Sequence, residues 1–305
     1  MANFGGIIGR MFNTPLLYDQ RKAETVAMAL GPRLVGMPVN VIAGVGGVDH
    51  VAFANGRPSL GRLGDPLGRL YESKGKEPIV VMDRVAIIGV EGTLVHKGGY
   101  VGSFSGETSY EGIQTQVARA MARDDVKGVV LEVDSYGGEV AGAFETADLI
   151  HQLSRAKPTI AILTDFAYSG GYLLASQARQ IIMPEFGGAG SIGVITMHVD
   201  WSRNLANEGI DVTIFKSGEH KADGNPFQPI APDAAARIQS RIDAMRDKFA
   251  ATVARGRGSR LTKAKALKTE AQAFDAEEAV DLGLADGVGN TVAAFNAFIE
   301  AVNRS

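Results

Sequence analysis

TIAILTDFAYSGGYLLASQA, residues 159–178, is the stretch on which the fold turns. Thr159–Leu163 is a short apolar run rich in β-branched residues, the pattern of a strand buried on both faces. Tyr172–Ala178 is apolar without alternation and reads as a buried helix. Between them, Ala167-Tyr168-Ser169-Gly170-Gly171 leaves room only for a tight strand-to-helix turn. The same alternation recurs on both sides. Val85–Val90, Val129–Val133, Ile181–Met183, Gly193–His198 and Val212–Phe215 read as further strands of a mainly parallel sheet. Ile113, Val117, Ala120 and Met121 share one helical face, as do Ala143, Ala147, Ile150 and Leu153. Pro232 opens a long helix carrying Ile238, Ile242, Met245, Phe249 and Val253. Asp275 and Glu278 form a capping-box-like start to a short helix that Gly283 ends. Repeated βα units of this kind predict an α/β fold with helices covering the sheet.

Residues 1–78 read differently. Thr14-Pro15 looks like an N-cap with Pro at the first helical position, and Leu16, Leu17, Ala23, Val26, Ala27 and Leu30 mark one face up to Gly31-Pro32. From Gly31 to Gly75 the chain is rich in Gly and Pro and lacks periodicity, so an irregular segment is expected. The division predicted is an N-terminal appendage, 1–78, and a main domain, 79–305.

Composition narrows the function classes. The 305 residues carry a formal charge of −3, so no global basic field points to nucleic acid. A basic stretch from Arg255 to Lys268 reads as a solvated helix face or loop. There are no cysteines, which excludes disulfides, thiolate metal sites and a cysteine nucleophile. No metal and no cofactor are expected. No apolar run approaches the roughly 20 residues of a membrane span. The N-terminus is a poor signal peptide, so an unexported, cytoplasmic protein is expected.

Three glycine-bearing turns follow predicted strands, where open α/β folds place ligands. Asp134-Ser135-Tyr136-Gly137-Gly138 offers either a plain turn or amide groups that receive an oxyanion, at the start of the helix that follows. Ser169-Gly170-Gly171 offers either a helix N-cap or an exposed nucleophile followed by the Gly170 amide. Gly190-Ser191-Ile192-Gly193 carries a serine that either orients a base or satisfies a turn. Further on, Lys216-Ser217-Gly218-Glu219-His220-Lys221 supplies two lysines. A lysine acting as general base must be neutral, with a pKa near 7–8 against a reference near 10.4, so it must be desolvated or lie near positive charge.

In order, these four elements resemble the motifs of the signal peptide peptidase A family over roughly residues 80–290. FDAEEAVDLGLADGVG, residues 274–289, is similar to that family's closing helix and strand. The resemblance implies a ClpP/crotonase-like fold of stacked ββα units and a serine endopeptidase with a Ser–Lys dyad. Ser169 corresponds to the nucleophile and Lys221 to the base; Ser191 would bond the lysine, and Gly138 and Gly170 would supply oxyanion amides. It also implies protein or peptide substrates, a small or apolar residue at the cleaved bond, and a homo-oligomer in which neighbouring subunits can complete the dyad. The run Lys221-Ala222-Asp223-Gly224-Asn225-Pro226-Phe227 resembles the phage head-maturation branch, whose enzymes cleave scaffold and capsid proteins in a prohead. Membrane-bound members begin with a spanning segment, and none is expected here.

Other readings remain. A Ser-His-Asp triad would draw on His198 or His220. A crotonase-type acyl-CoA enzyme would share the fold but leave the serine and lysine unexplained. A cellular peptidase that degrades signal or other peptides is a third, and a capsid-assembly protein without turnover, binding through the Leu16–Leu30 helix, is a fourth.

Overall fold

The computed structural model describes residues 14–18, 65–104 and 106–304. Its elements are, in chain order, β1 (Leu16–Tyr18), α1 (Pro66–Ser73), β2 (Val80–Met82), β3 (Val85–Val95), β4 (Ser103–Phe104), β5 (Glu107–Ser109) and α2 (Tyr110–Ala122). There follow β6 (Gly128–Glu139), α3 (Ala143–Ala156), β7 (Thr159–Tyr168), α4 (Gly170–Ala175), β8 (Gln180–Met183), β9 (Gly188–Gly190) and α5 (Ser202–Asn207). The chain ends with α6 (Pro232–Arg257), α7 (Lys263–Lys268), β10 (Ala273–Asp275), α8 (Ala276–Asp281), β11 (Gly287–Val288) and α9 (Thr291–Arg304).

The predicted α/β architecture is present. Three long parallel strands, β3, β6 and β7, form the spine of a mixed, mainly parallel sheet. Val129, Leu131 and Val133 of β6 are buried on one face with Ile113 and Val117 of α2 and Ile150 of α3. On the other face Val85, Val130, Ile160 and Ile162 form a second cluster with Val302, against which Phe295 and Phe298 of α9 pack. Apolar side chains therefore line both faces, which is why these strands read as continuous hydrophobic runs.

Beyond its middle, the sheet splits. Ile160–Ile162 of β7 pair with β8, whereas Phe166–Tyr168 pair with β9. After Tyr168 the chain turns into α4, so β7 no longer covers the last residues of β6. Along this edge lies β1, antiparallel, with Leu16, Leu17 and Tyr18 opposite Glu139, Gly138 and Gly137. The other edge of β1 meets Ile195, through Leu16 N–H to Ile195 O at 2.8 Å and Ile195 N–H to Leu16 O at 3.0 Å.

Several expectations are corrected here. Leu16–Tyr18 is a strand rather than the start of a helix, because the open β6 edge supplies hydrogen bonds that outweigh the local helical pattern; residues 19–30 lie outside the described residues. Asp134–Gly138 is not a turn but the end of β6, and α3 begins only at Ala143, so these amides are not at a helix N-terminus. Gly193–His198 forms no continuous strand, only isolated bridges at Ile195 and Met197, and Val212–Phe215 pairs with no strand among the described residues. Apolar content alone does not make a ladder; a strand needs an edge along its length. Within the segment expected to be irregular, Pro66–Ser73 is helical. The Asp65 side chain accepts from Gly68 N–H at 3.2 Å, Pro66 takes the first helical position, and Asp65 pairs with Arg119 of α2 at 3.1 Å.

Behind the strands, Arg257 at the end of α6 is fully buried. Its guanidinium makes two bonds of 2.9 Å to the Asp286 carboxylate, and its Nε donates to Gly283 O at 2.9 Å. Asp286 also accepts from Arg260 at 2.8 Å and from Ile181 N–H at 2.7 Å. Burial alone would raise the Asp286 pKa, but its bonds to Arg257, Arg260 and Ile181 outweigh this and hold it below the usual 3.8. Its contribution to stability is thus present above that value and is lost as pH falls through the lower folded-state pKa. Asp286→Asn leaves Arg257 buried and unpaired. It should destabilise the protein by about 3–5 kcal/mol, read by urea unfolding at pH 7, and should flatten the loss of stability on acidification.

Candidate active site

Ser169 sits alone between β7 and α4 with φ 50° and ψ −117°, a conformation that costs a non-glycine residue on the order of 1–3 kcal/mol. Two backbone bonds of 2.9 Å hold it there, from Ser169 N–H to Gly190 O and from Leu173 N–H to Ser169 O. The side chain does not cap the helix. Ser169 is 0% exposed, and among the described residues its Oγ has no hydrogen-bond partner. An unpaired buried hydroxyl costs about 1–3 kcal/mol more, so neither capping nor packing accounts for a serine here.

The two glycines assigned to the oxyanion lie beside it. A Cβ placed on Gly170 would be 3.3 Å from the Gly138 nitrogen and 3.3 Å from the Gly137 Cα, so the two backbones are in contact. Gly137, at φ +96°, comes so close that its Cβ would lie 2.8 Å from the Gly170 nitrogen and collide with the carbonyl oxygen of Leu17. A Cβ on Gly138 would collide with the Leu94 carbonyl of β3. The Tyr110 hydroxyl donates to Glu139 O at 3.0 Å and fixes the strand just past these glycines.

Ser191 follows β9 directly, and the register Tyr168↔Gly190 sets it beside Ser169. It too has positive φ, 55°, and its N–H donates to Gln272 O at 2.8 Å, so the turn before β10 anchors this corner. Lys221 is not brought to the serine. It is exposed, in the turns that precede α6, with its N–H directed to Gly218 O at 3.3 Å. Nor does any described histidine reach Ser169 Oγ, which has no partner among the described residues. His220 lies 3.4 Å from Asp223 and is half exposed, while both ring nitrogens of His198 are buried without partners among the described residues. In the first motif, burial raises the Asp134 carboxyl pKa, with the Asp165 charge adding to it. Among the described residues, no group of acidic and histidine side chains could hold a metal ion, and no helix is long and apolar enough to cross a membrane.

A family model described as peptidase family S49 matches residues 151–304, a span that includes Ser169, Ser191 and Lys221. The chain belongs to peptidase family S49. Two phage proteins are similar to it over 99% of its length. The head-tail preconnector protein GP5 of Enterobacteria phage P21 is 36% identical over 304 residues. The capsid assembly protease C of Escherichia phage lambda is 33% identical over 308 residues. The chain spans 58% of the first relative and 67% of the second. A solved structure of ClpP1 from Listeria monocytogenes, an N165D mutant, superposes with a TM-score of 0.41 at 13% identity, covering 68% of this chain and 92% of that one. The S49 membership agrees with the resemblance drawn from the four motifs.

Sequence reasoning missed Leu17, Ile195 and Tyr110 as site residues. Only pairing across the sheet reveals the first two, and nothing in their local sequence marks them. The glycine contacts make a graded prediction. Gly137→Ala and Gly138→Ala should each destabilise the fold by about 1–3 kcal/mol, because backbone must move, whereas Gly170→Ala meets only contacts of 3.3–3.4 Å and should cost less. Urea unfolding of the three variants checks the order.

Proposed function

We propose that the chain is a serine endopeptidase of an assembling phage capsid, with Ser169 as nucleophile and Lys221, delivered by a neighbouring subunit, as base. The observation that carries this reading is Ser169: strained in backbone, buried, its hydroxyl without a partner among the described residues, and flanked by the Gly170 and Gly138 amides. Neutral Lys221 Nζ takes the hydroxyl proton as Oγ bonds to the substrate carbonyl carbon. The oxyanion then accepts hydrogen bonds from the two glycine amides. The C–N bond breaks, the amine leaves with the proton from Lys221, and water cleaves the resulting ester by the same route. Ser191 is assigned to orient the lysine.

An exposed lysine in a single chain has no reason to be neutral. Burial under a second subunit would supply one. The flanking Phe215 is 93% exposed and Phe227 44%, apolar surface of the kind that another chain covers. The phage relatives support the capsid setting, and scaffold or capsid proteins in a prohead or the host cytoplasm are the substrates this reading assigns.

The test is complementation. Ser169→Ala and Lys221→Ala should each abolish cleavage of co-encoded capsid proteins, followed by mass spectrometry. Mixed and co-assembled, the two variants should recover part of the activity, because some interfaces pair an intact serine with an intact lysine. No recovery on mixing would return the dyad to one chain, and activity surviving Lys221→Ala would remove the lysine from the mechanism.

A further inference from the structure

The site described above is already filled. β1 lies in the gap between the end of β6 and Ile195, and it is held on both edges as an added strand is held. Leu16 directs its N–H and C=O to Ile195. By the alternation of a strand, the polar groups of Leu17 face Gly138, its register partner. The Leu17 carbonyl oxygen lies against Gly137, at the same point that the Gly170 nitrogen approaches. The Leu17 carbonyl thus faces Gly138 by register and lies on the side of Gly137 that the Gly170 nitrogen also approaches, beside both amides assigned to the oxyanion. Both leucines are buried, at 1% and 0%, and Leu17 belongs to the main core cluster.

We propose that Leu16–Tyr18 is held as a substrate-like occupant of the peptide groove, so that the groove takes an extended segment with a leucine-sized aliphatic residue at the attacked carbonyl. This rests on the assignment of Ser169 as nucleophile. Substrate must displace β1 to enter, and the chain's own segment keeps Ser169 sealed until it does. The side chain at the position of Leu17 sets the preference, because it enters the core rather than solvent. A charged residue there would be buried without a partner.

The experiment uses full-length Ser169→Ala protein and a fluorescein-labelled peptide of residues 13–20, read by anisotropy. Leu17→Pro, added to that background, removes the N–H facing β6 and frees the groove. Peptide affinity should rise about tenfold or more, because an intramolecular competitor at an effective concentration in the millimolar range is gone. A peptide with aspartate in place of its central leucine should bind at least about tenfold more weakly. Equal affinity for the protein with and without Leu17→Pro, in folded protein, overturns the proposal. Leu17→Asp serves as a second variant. If both unfold, excess unlabelled peptide must raise deuterium uptake at residues 16–18 of the Ser169→Ala protein while 137–139 stay protected; unchanged uptake overturns it equally. These readouts need no turnover. Failure of a fluorophosphonate to label Ser169 in the wild-type protein, freed by Leu17→Pro, would remove the peptidase reading while the binding result stood.

Discussion

Three backbones converge on Gly137 and Gly138, and the candidate site exists because none of them meets a Cβ there. Leu94 of β3, Leu17 of β1 and the first residue of α4 all approach to within contact of this pair. The close approach brings the Gly138 and Gly170 amides to one point and leaves β6 with a free edge after β7 turns away. A side chain at either glycine would push at least one of these backbones out, and the surroundings of Ser169 would go with it.

Around that constraint the structure holds strain in place with backbone bonds. Ser169 and Ser191 both have positive φ, and each donates its N–H to a neighbouring segment, Gly190 and Gln272 respectively. Tyr172, in the helix after Ser169, donates its hydroxyl to Leu284 O at 2.9 Å, close to the buried Arg257–Asp286 pair. The C-terminal segments β10 and α8 are thus part of the support of a serine more than a hundred positions earlier. Single interactions of this size cost little to lose. Their joint effect is to over-determine one unfavourable conformation, which is the condition under which strain persists.

Much of this was legible in the chain itself. Buried parallel strands advertise themselves by continuous β-branched runs, so the starts of β3, β6, β7 and β8 were legible, whereas β3, β6 and β7 run on past the apolar runs through Val95, Glu139 and Tyr168. Ser169, Gly170, Gly138 and Ser191 were singled out because four motifs in order resemble one family, and the structure brings these residues to one corner of the sheet. What escaped was whatever depends on a partner far along the chain. Val212–Phe215 has strand-like residues but pairs with no edge among the described residues, while Leu16–Tyr18 has helix-like spacing but an edge waiting for it. Lys221 is the sharpest case. Its residue type and its motif point to a base, yet its exposure in one chain lacks the desolvation that a neutral lysine requires, a property that no local pattern encodes.

The pairing of Leu17 with Gly138 also sets an order in time. Gly138 lies 121 positions downstream of Leu17, and Ile195 lies 179 positions beyond Leu16. On the ribosome the leucines emerge first and wait on the order of ten seconds before either partner is made. Long-range pairings of this kind form late, after the local βα units. By that argument β1 joins the sheet after the local βα units that frame the groove, so the segment that covers Ser169 is added to a surface already built.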